Sequence, residues 1–175
     1  MDDGLIGLPR GTLALRPWTP AWAEAYAAER ALLLAHLADW FVDVAHVGST
    51  SVPGLEAKPL IDLQAGLRAL DDAARVIPRL TELGYTFMPE RVYGDFVFLP
   101  KGPEALRTHH LTLVEHGSAE WHVRLRFRDA LRASPELRIR YRDLKRRLAT
   151  EHAGDRPAYT DGKGEFVAEV LAQHP

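Results

Sequence analysis

No cysteine occurs in the 175-residue chain. Disulfides, thiolate nucleophiles and cysteine-ligated metals are therefore excluded, and a reducing compartment is compatible. No apolar run approaches the roughly 18 residues that a membrane helix needs. The N-terminus opens with Asp2 and Asp3 and lacks the basic start and long apolar stretch of a signal peptide. We therefore expect a cytoplasmic protein with no membrane partner. An excess of one charge sign is lacking too. The formal net charge is -2 and the pI is about 6.4, so global electrostatics favour neither nucleic acid nor a membrane surface. Internal repeats, linkers and low-complexity segments are also absent.

What is present is ordinary for a folded domain: 46% hydrophobic and 26% charged residues. The length suits one domain with a substantial core. We read residues 1–10 as a loose tail and 11–175 as a single domain. Thr12 to Arg16 alternates as a short strand. Thr19-Pro20 starts a helix, with a hydroxyl N-cap and proline at the first helical position. It runs to about Ala38, with Trp22, Tyr26, Ala27, Leu33, Leu34 and Leu37 inward. Phe41 to Val47 and Leu60 to Leu67 read as core strands bounded by turn signals. A helix from Asp71 or Asp72 ends at Gly84, with Val76, Ile77, Leu80 and Leu83 at helical spacing. Pro78 inside it predicts a kink or a shorter helix. Tyr85 to Met88, Asp95 to Leu99 and Arg107 to Glu115 read as further strands, with turns at Tyr93-Gly94 and Lys101-Gly102-Pro103.

The C-terminal third is expected to be helical. Ser118 caps Ala119 to Arg132, although Trp121, Val123, Leu125 and Phe127 alternate at a strand-like period. Ser134-Pro135-Glu136 starts the next helix, and Leu137, Tyr141, Leu144 and Leu148 form its stripe. Asp161 caps a last helix with Phe166, Val167, Val170 and Leu171 inward. The order of elements predicts an α+β domain with a mixed sheet covered on one side.

The residues with chemical potential concentrate in 46–64. Gly48-Ser49, with Thr50, follows the first core strand. Glycine lets backbone approach a ligand, and adjacent N–H groups and hydroxyls can meet phosphate oxygens. The turn is not a Walker loop, since no Gly-Lys-Ser/Thr follows it. Taken alone it also reads as a tight strand-to-loop turn. Asp62 lies inside an apolar strand, where an ionised carboxylate requires a partner or a metal. Lys58 is four residues upstream and could be that partner. Gln64 shares the face of Asp62 and can offer a carbonyl oxygen, but no charge. His109 and His110 are neighbours on a strand and face opposite sides. His46, His116 and His122 lack metal-ligand spacing. Residues 124–147 hold a local excess of arginine and lysine, which commonly marks a solvated helix face and can also serve an anionic ligand. Little aromatic residue is interleaved there, which argues against single-stranded nucleic acid.

The string HVGSTSVPGLEAKPLIDLQ resembles the signature of the GrpB family, in the nucleotidyltransferase-like superfamily. Further similar segments are Pro89-x-Arg91, His109-His110-Leu111, Leu125-x-Phe127-Arg128-Asp129-x-Leu131-Arg132-x-x-Pro135, Tyr141-x-x-Leu144-Lys145 and Tyr159-x-x-x-Lys163. The resemblance spans Ala45 to Leu171. It implies the nucleotidyltransferase-like fold, with Gly-Ser at one strand end, about a dozen residues, then an acid on the next strand. It also implies an NTP substrate and Mg²⁺. Gly48, Ser49 and Thr50 would cradle phosphates, Asp62 would hold the metal with Gln64 as auxiliary, and Lys58, Arg128 or Lys145 would neutralise charge. His110 would orient a phosphate or act as a base. Two positions depart from the pattern. Gln64 stands where the superfamily has its second acid, and the His-Leu-His motif reads His110-Leu111-Thr112. A third carboxylate would come from Glu115 or Asp95.

The leading expectation is a nucleotidyltransferase that moves a nucleoside monophosphate from an NTP to an anionic or hydroxyl-bearing small molecule, or to a protein hydroxyl. The rival, motivated by Gln64 and the absent third carboxylate, is a non-catalytic nucleotide- or metabolite-binding or interaction module on the same fold; domains of this kind also resemble ones fused to dephospho-CoA kinase. A metal-dependent hydrolase built on the histidines finds little support in their spacing. The sequence does not specify an oligomeric state.

Overall fold

The structure, a computed structural model, describes residues 6–174. Its elements run α1 (Ala21–Leu37), β1 (Phe41–Val47), a single turn of 3₁₀ helix (Ser49–Ser51), β2 (Ile61–Leu67), α2 (Ala73–Glu82), β3 (Phe96–Lys101), β4 (His109–Glu115), α3 (Ala119–Ala133), α4 (Pro135–Glu151), α5 (Arg156–Asp161) and α6 (Gly164–Gln173). The four strands form one sheet in the order β1-β2-β4-β3. β2 runs antiparallel to β1 and parallel to β4, and β3 is antiparallel to β4. The fold is thus α+β with a mixed sheet.

Strand alternation gives the sheet two unlike faces. Ile61, Leu63, Ala65 and Leu67 of β2 share a face with Leu111 and Leu113 of β4, and all are buried. Trp22, Leu33 and Leu37 of α1 and Val76 and Leu80 of α2 complete that core. Asp62, Gln64 and Gly66 point the other way, beside His110, Thr112 and Val114. This second face is not left open, as a sheet covered on one side would require. Trp121 and Leu125 of α3 pack on Ala45, Val47 and Val114. Beyond them α3, α4 and α6 close their own cluster over Val52 and Leu55, including Leu131, Leu137, Tyr141 and Phe166. The helical third therefore stands over part of the polar face, and a cavity remains between them.

Several expectations change in detail. The part of the expected tail within the described residues is tied down: Leu8 pairs with Arg107, and Gly7 donates to the Pro59 carbonyl at 2.7 Å. Thr12 to Arg16 is not a strand; only Arg16 bridges, to Ala57. α1 starts one residue later than expected, though the Thr19 hydroxyl still accepts from the Ala21 amide at 3.3 Å. Ala27 is exposed, and the buried residue of that turn is Glu29, which accepts from Tyr85 Oη at 2.8 Å and Lys101 Nζ at 2.7 Å. Tyr85 to Met88 contributes a single bridge to Lys101 rather than a strand. β3 runs on through Pro100, which an edge strand tolerates because no neighbour needs its missing N–H. α2 is shorter than expected and keeps Pro78 inside it on the exposed side. Asp161 ends α5 and does not cap α6; Asp155 caps α5, accepting from the Ala158 amide at 3.0 Å.

Candidate functional site

The site is built where β1 ends and β2 begins. Gly48 has φ of 69°, a left-handed conformation that favours glycine. A Cβ at this position would also collide with Asp62 Oδ2. The backbone and the carboxylate therefore share space that no side chain can enter. On the neighbouring strand, the pairing of Asp62 with His110 brings His110 Nδ1 to 3.0 Å from Asp62 Oδ1. Burial pushes the Asp62 carboxyl up. The His110 hydrogen bond and nearby positive charge outweigh it and hold the group below its ordinary value. An ionised Asp62 only accepts, so Nδ1–H donates and Nε2 is the ring nitrogen left for a ligand.

The turn after Gly48 is clamped from both sides. Ser51 Oγ donates to the Gly48 carbonyl at 2.6 Å, and Trp18 Nε1 donates to that of Thr50 at 3.2 Å. Arg132 grips the Ser51 carbonyl with Nη2 at 2.7 Å, and Arg128 Nη1 donates to the His46 carbonyl at 2.9 Å. Thr50 donates its one hydroxyl proton to the Leu60 carbonyl at 3.3 Å, so the buried His46 donates from Nε2 to Thr50 Oγ1 at 3.0 Å. That assigns His46 the neutral Nε2–H form. Burial holds its pKa down to about 4. Ser49 and Tyr141 of α4 line the same cavity.

Above this floor lies a cavity of about 880 Å³. Gly48, Ser49, Thr50, Asp62 and His110 line its base, with Phe98 and Thr112 from the sheet. Its walls carry Lys58, Lys145 and Lys163, joined by Arg91, Arg124 and Arg156; the lining acids are Asp62 and Asp161. Lys145 is only 2% exposed, and it donates to the Glu56 carbonyl. Burial, reinforced by Lys163, lowers its pKa to about 7. Burial and the charge of Arg156 lower Lys58 to about 8.

Gly48, Ser49, Thr50, Lys58, Asp62, His110 and Lys145 thus come together. Gln64 does not join them. It is 0% exposed beneath α3, where its Nε2 donates to the Trp121 carbonyl at 2.9 Å. Arg128 lies outside the cavity lining, engaged by Asp129 and the His46 carbonyl. Glu115 is exposed on the α1 face of the sheet, and Asp95 is exposed before β3, so neither supplies a third carboxylate. His109 faces the α1 side, near Glu29. Sequence reasoning assigned no role to Lys163, Arg156 or Tyr159, although Tyr159-x-x-x-Lys163 was visible as a motif. Among the described residues no group of three His, Asp or Glu could hold a metal ion. The donor set does not fit the resident Mg²⁺ that the resemblance implies: one carboxylate, its histidine partner and a wall of cations.

A family model described as GrpB protein matches residues 12–173. The chain belongs to the GrpB family. The crystal structure of conserved protein GrpB from Enterococcus faecalis superposes with a TM-score of 0.83 at 30% identity, covering 92% of this chain and 96% of that one. The glutamate-rich protein GrpB of Alkalihalophilus pseudofirmus is 31% identical over 95% of this chain and 98% of its own length. A UPF0157 protein of Pseudomonas aeruginosa is 38% identical over 90% of this chain. The GrpB-family chain described here spans 65% of that relative and 46% of YqkA from Bacillus subtilis. No helix among the described residues is long and apolar enough to cross a membrane.

Proposed function

We propose that this GrpB-family chain binds a nucleoside triphosphate in the cavity between the polar sheet face and the C-terminal helices. One observation carries the reading: six lining cations face two lining acids in a cavity of about 880 Å³. Lys145 is buried without a carboxylate partner, which is costly, and an anion of several charges relieves that cost. The cavity lies within the ~300–1,000 Å³ range of small-molecule sites.

The Asp62–His110 pair favours a second step on the same site, transfer of a nucleoside monophosphate to a hydroxyl-bearing small molecule. The acceptor oxygen would bond to the α-phosphorus, the bond to pyrophosphate would break, and the hydroxyl proton would pass to His110 Nε2. Asp62 would hold the ring in position and stabilise its charged form. Lysine ammonium groups would neutralise the departing pyrophosphate.

Titration calorimetry with ATP, GTP, CTP and UTP, with and without Mg²⁺, is the test. We expect saturable binding of at least one. If none binds, the proposal is lost. Transfer of labelled nucleoside monophosphate that Asp62→Asn abolishes would support the second step. Binding with no transfer in the presence of candidate acceptors leaves the chain a nucleotide-binding module.

A further inference from the structure

The chain holds four lysines against eighteen arginines. Three of the four, Lys58, Lys145 and Lys163, line the cavity, while Lys101 pairs with Glu29 on the opposite face of the sheet. Exposed basic positions such as Arg75, Arg146 and Arg147 are arginine. Where a positive charge alone suffices, this chain uses guanidinium. The ammonium is smaller, is a point charge, and can lose its proton when buried; guanidinium cannot.

The three cavity lysines are held by rings and carbonyls, not by acids. Lys145 Nζ lies 5.0 Å from the Tyr141 ring centre and donates to the Glu56 carbonyl. Lys58 and Lys163 both approach the Tyr159 ring, at 5.4 Å and 4.6 Å. The one lysine ion pair among the described residues is Lys101 with Glu29. The neighbouring acids are largely committed. Both oxygens of Glu56 are taken by Arg146, at 2.8 Å and 2.6 Å, and Asp62 is taken by His110. Asp161 closes α5 and, with Asp62, works to raise the Lys163 amine, but burial and the charge of Arg156 outweigh them; Arg156 also stands beside Lys58. Burial raises the Tyr141 and Tyr159 hydroxyls, so neither supplies negative charge.

We propose that Lys58, Lys145 and Lys163 form a polyphosphate subsite that takes up protons as it fills. The ligand class is a chain of two or three phosphates. That this chain ends in a nucleoside rests on the preceding reading; the subsite itself does not. Burial and like charge hold all three amines below their ordinary value, which leaves part of the trio neutral in the empty cavity at mildly alkaline pH. A polyphosphate reverses the balance and recharges them. Binding therefore consumes protons and weakens as pH rises.

Calorimetry on the full chain tests this, with nucleoside mono-, di- and triphosphates and inorganic tripolyphosphate as probes. Runs in two buffers of different ionisation enthalpy count the protons taken up. Three results are expected. Affinity rises with phosphate number by at least about tenfold from mono- to triphosphate. Proton uptake is measurable near pH 8 and affinity falls between about pH 6 and about pH 9. Lys145→Arg, which keeps the charge, and Lys163→Met each weaken tripolyphosphate binding at least about tenfold while melting cooperatively. Nucleotide binding indifferent to phosphate number, with no proton uptake by the wild type, would overturn the subsite and leave the nucleotide reading standing. Tripolyphosphate binding that shows proton uptake and lysine dependence, without any nucleotide binding, would support the subsite and overturn the nucleotide reading. The proton count on the wild type needs no variant, so a misfolded Lys145→Arg cannot shelter the proposal.

Discussion

At the scale of the residue, Gly48 and Asp62 are coupled through space rather than through a bond. Gly48→Ala would force an L side chain into a left-handed backbone and against Asp62 Oδ2. We expect a loss of ~1–3 kcal/mol in urea unfolding, together with weaker nucleotide binding because the carboxylate is displaced. Both halves of this pair were visible in the sequence, since an acid in an apolar strand and a glycine at a strand end are local signals. Gln64 was not legible in the same way. Alternation placed it correctly on the face of Asp62, but only the approach of α3 shows that its amide nitrogen donates to the Trp121 carbonyl. Gln64→Glu would therefore not rebuild a metal pair. A carboxylate would lose the hydrogen bond and face a carbonyl oxygen in a buried slot. We expect it to destabilise by about 3 kcal/mol or more, read as a lower denaturation midpoint with no gain in Mg²⁺ binding. His46 adds a pH dependence. Its folded pKa is about 4 against an ordinary 6.5, so the unfolded chain binds more protons between those values. Stability should fall as pH drops from 6.5 toward 4, and replacement of His46 by Gln should flatten that limb of the curve.

At the scale of the element, caps were better predictors than periodicity. Ser118 and Ser134 each accept from an amide three residues on, both at 3.2 Å, and both helices form as their caps imply. The alternating pattern of Trp121, Leu125 and Phe127 misleads because α3 touches two clusters. Trp121 and Leu125 meet the sheet, and Phe127 meets α4 and α6. An amphipathic helix with two apolar contacts has no single stripe. Asp161 shows the limit of cap reading. It precedes an apolar helical pattern but is the last residue of α5, and the capping carboxylate is Asp155. Asp155→Ala should cost about 1 kcal/mol by thermal unfolding, as the loss of an N-cap does, whereas Asp161→Ala should leave stability within ~0.5 kcal/mol. Because α5 carries Tyr159 and leads into Lys163, the Asp155 variant should also weaken anion binding.

At the scale of the molecule, the cavity exists because α3, α4 and α6 cover only part of the second sheet face. Their own cluster with Val52 and Leu55 holds them over the β1–β2 connection and leaves Asp62 and His110 open beneath. The empty cavity stores electrostatic cost in its lysines. Lys145 has a folded pKa of about 7 and Lys58 of about 8, both below an ordinary 10.5, so the unfolded chain binds more protons above those values. The ligand-free protein should therefore become more stable as pH rises from 7 to 9, with Lys145 contributing a slope of at most about 1.4 kcal/mol per pH unit. Saturating tripolyphosphate should flatten or invert this dependence in thermal melts. An unchanged, pH-independent melting temperature over that range would show that the lysines are fully solvated.

The sequence by itself determined the core strands, most helices and the family, because these depend on local spacing: branched runs, caps and the Gly-Ser to Asp interval. It also placed Lys58, Asp62, His110 and Lys145 among the candidates. Only the tertiary structure decided what each of them faces. Burial, hydrogen-bond commitment and charge balance are properties of residues distant in the chain. Gln64 is withdrawn by Trp121, Arg128 by the His46 carbonyl, and the acid partners of the lysines by Arg146 and His110. What remains is a carboxylate–histidine pair under a wall of unpaired ammonium groups. That arrangement suits an anion of several charges better than a resident divalent cation.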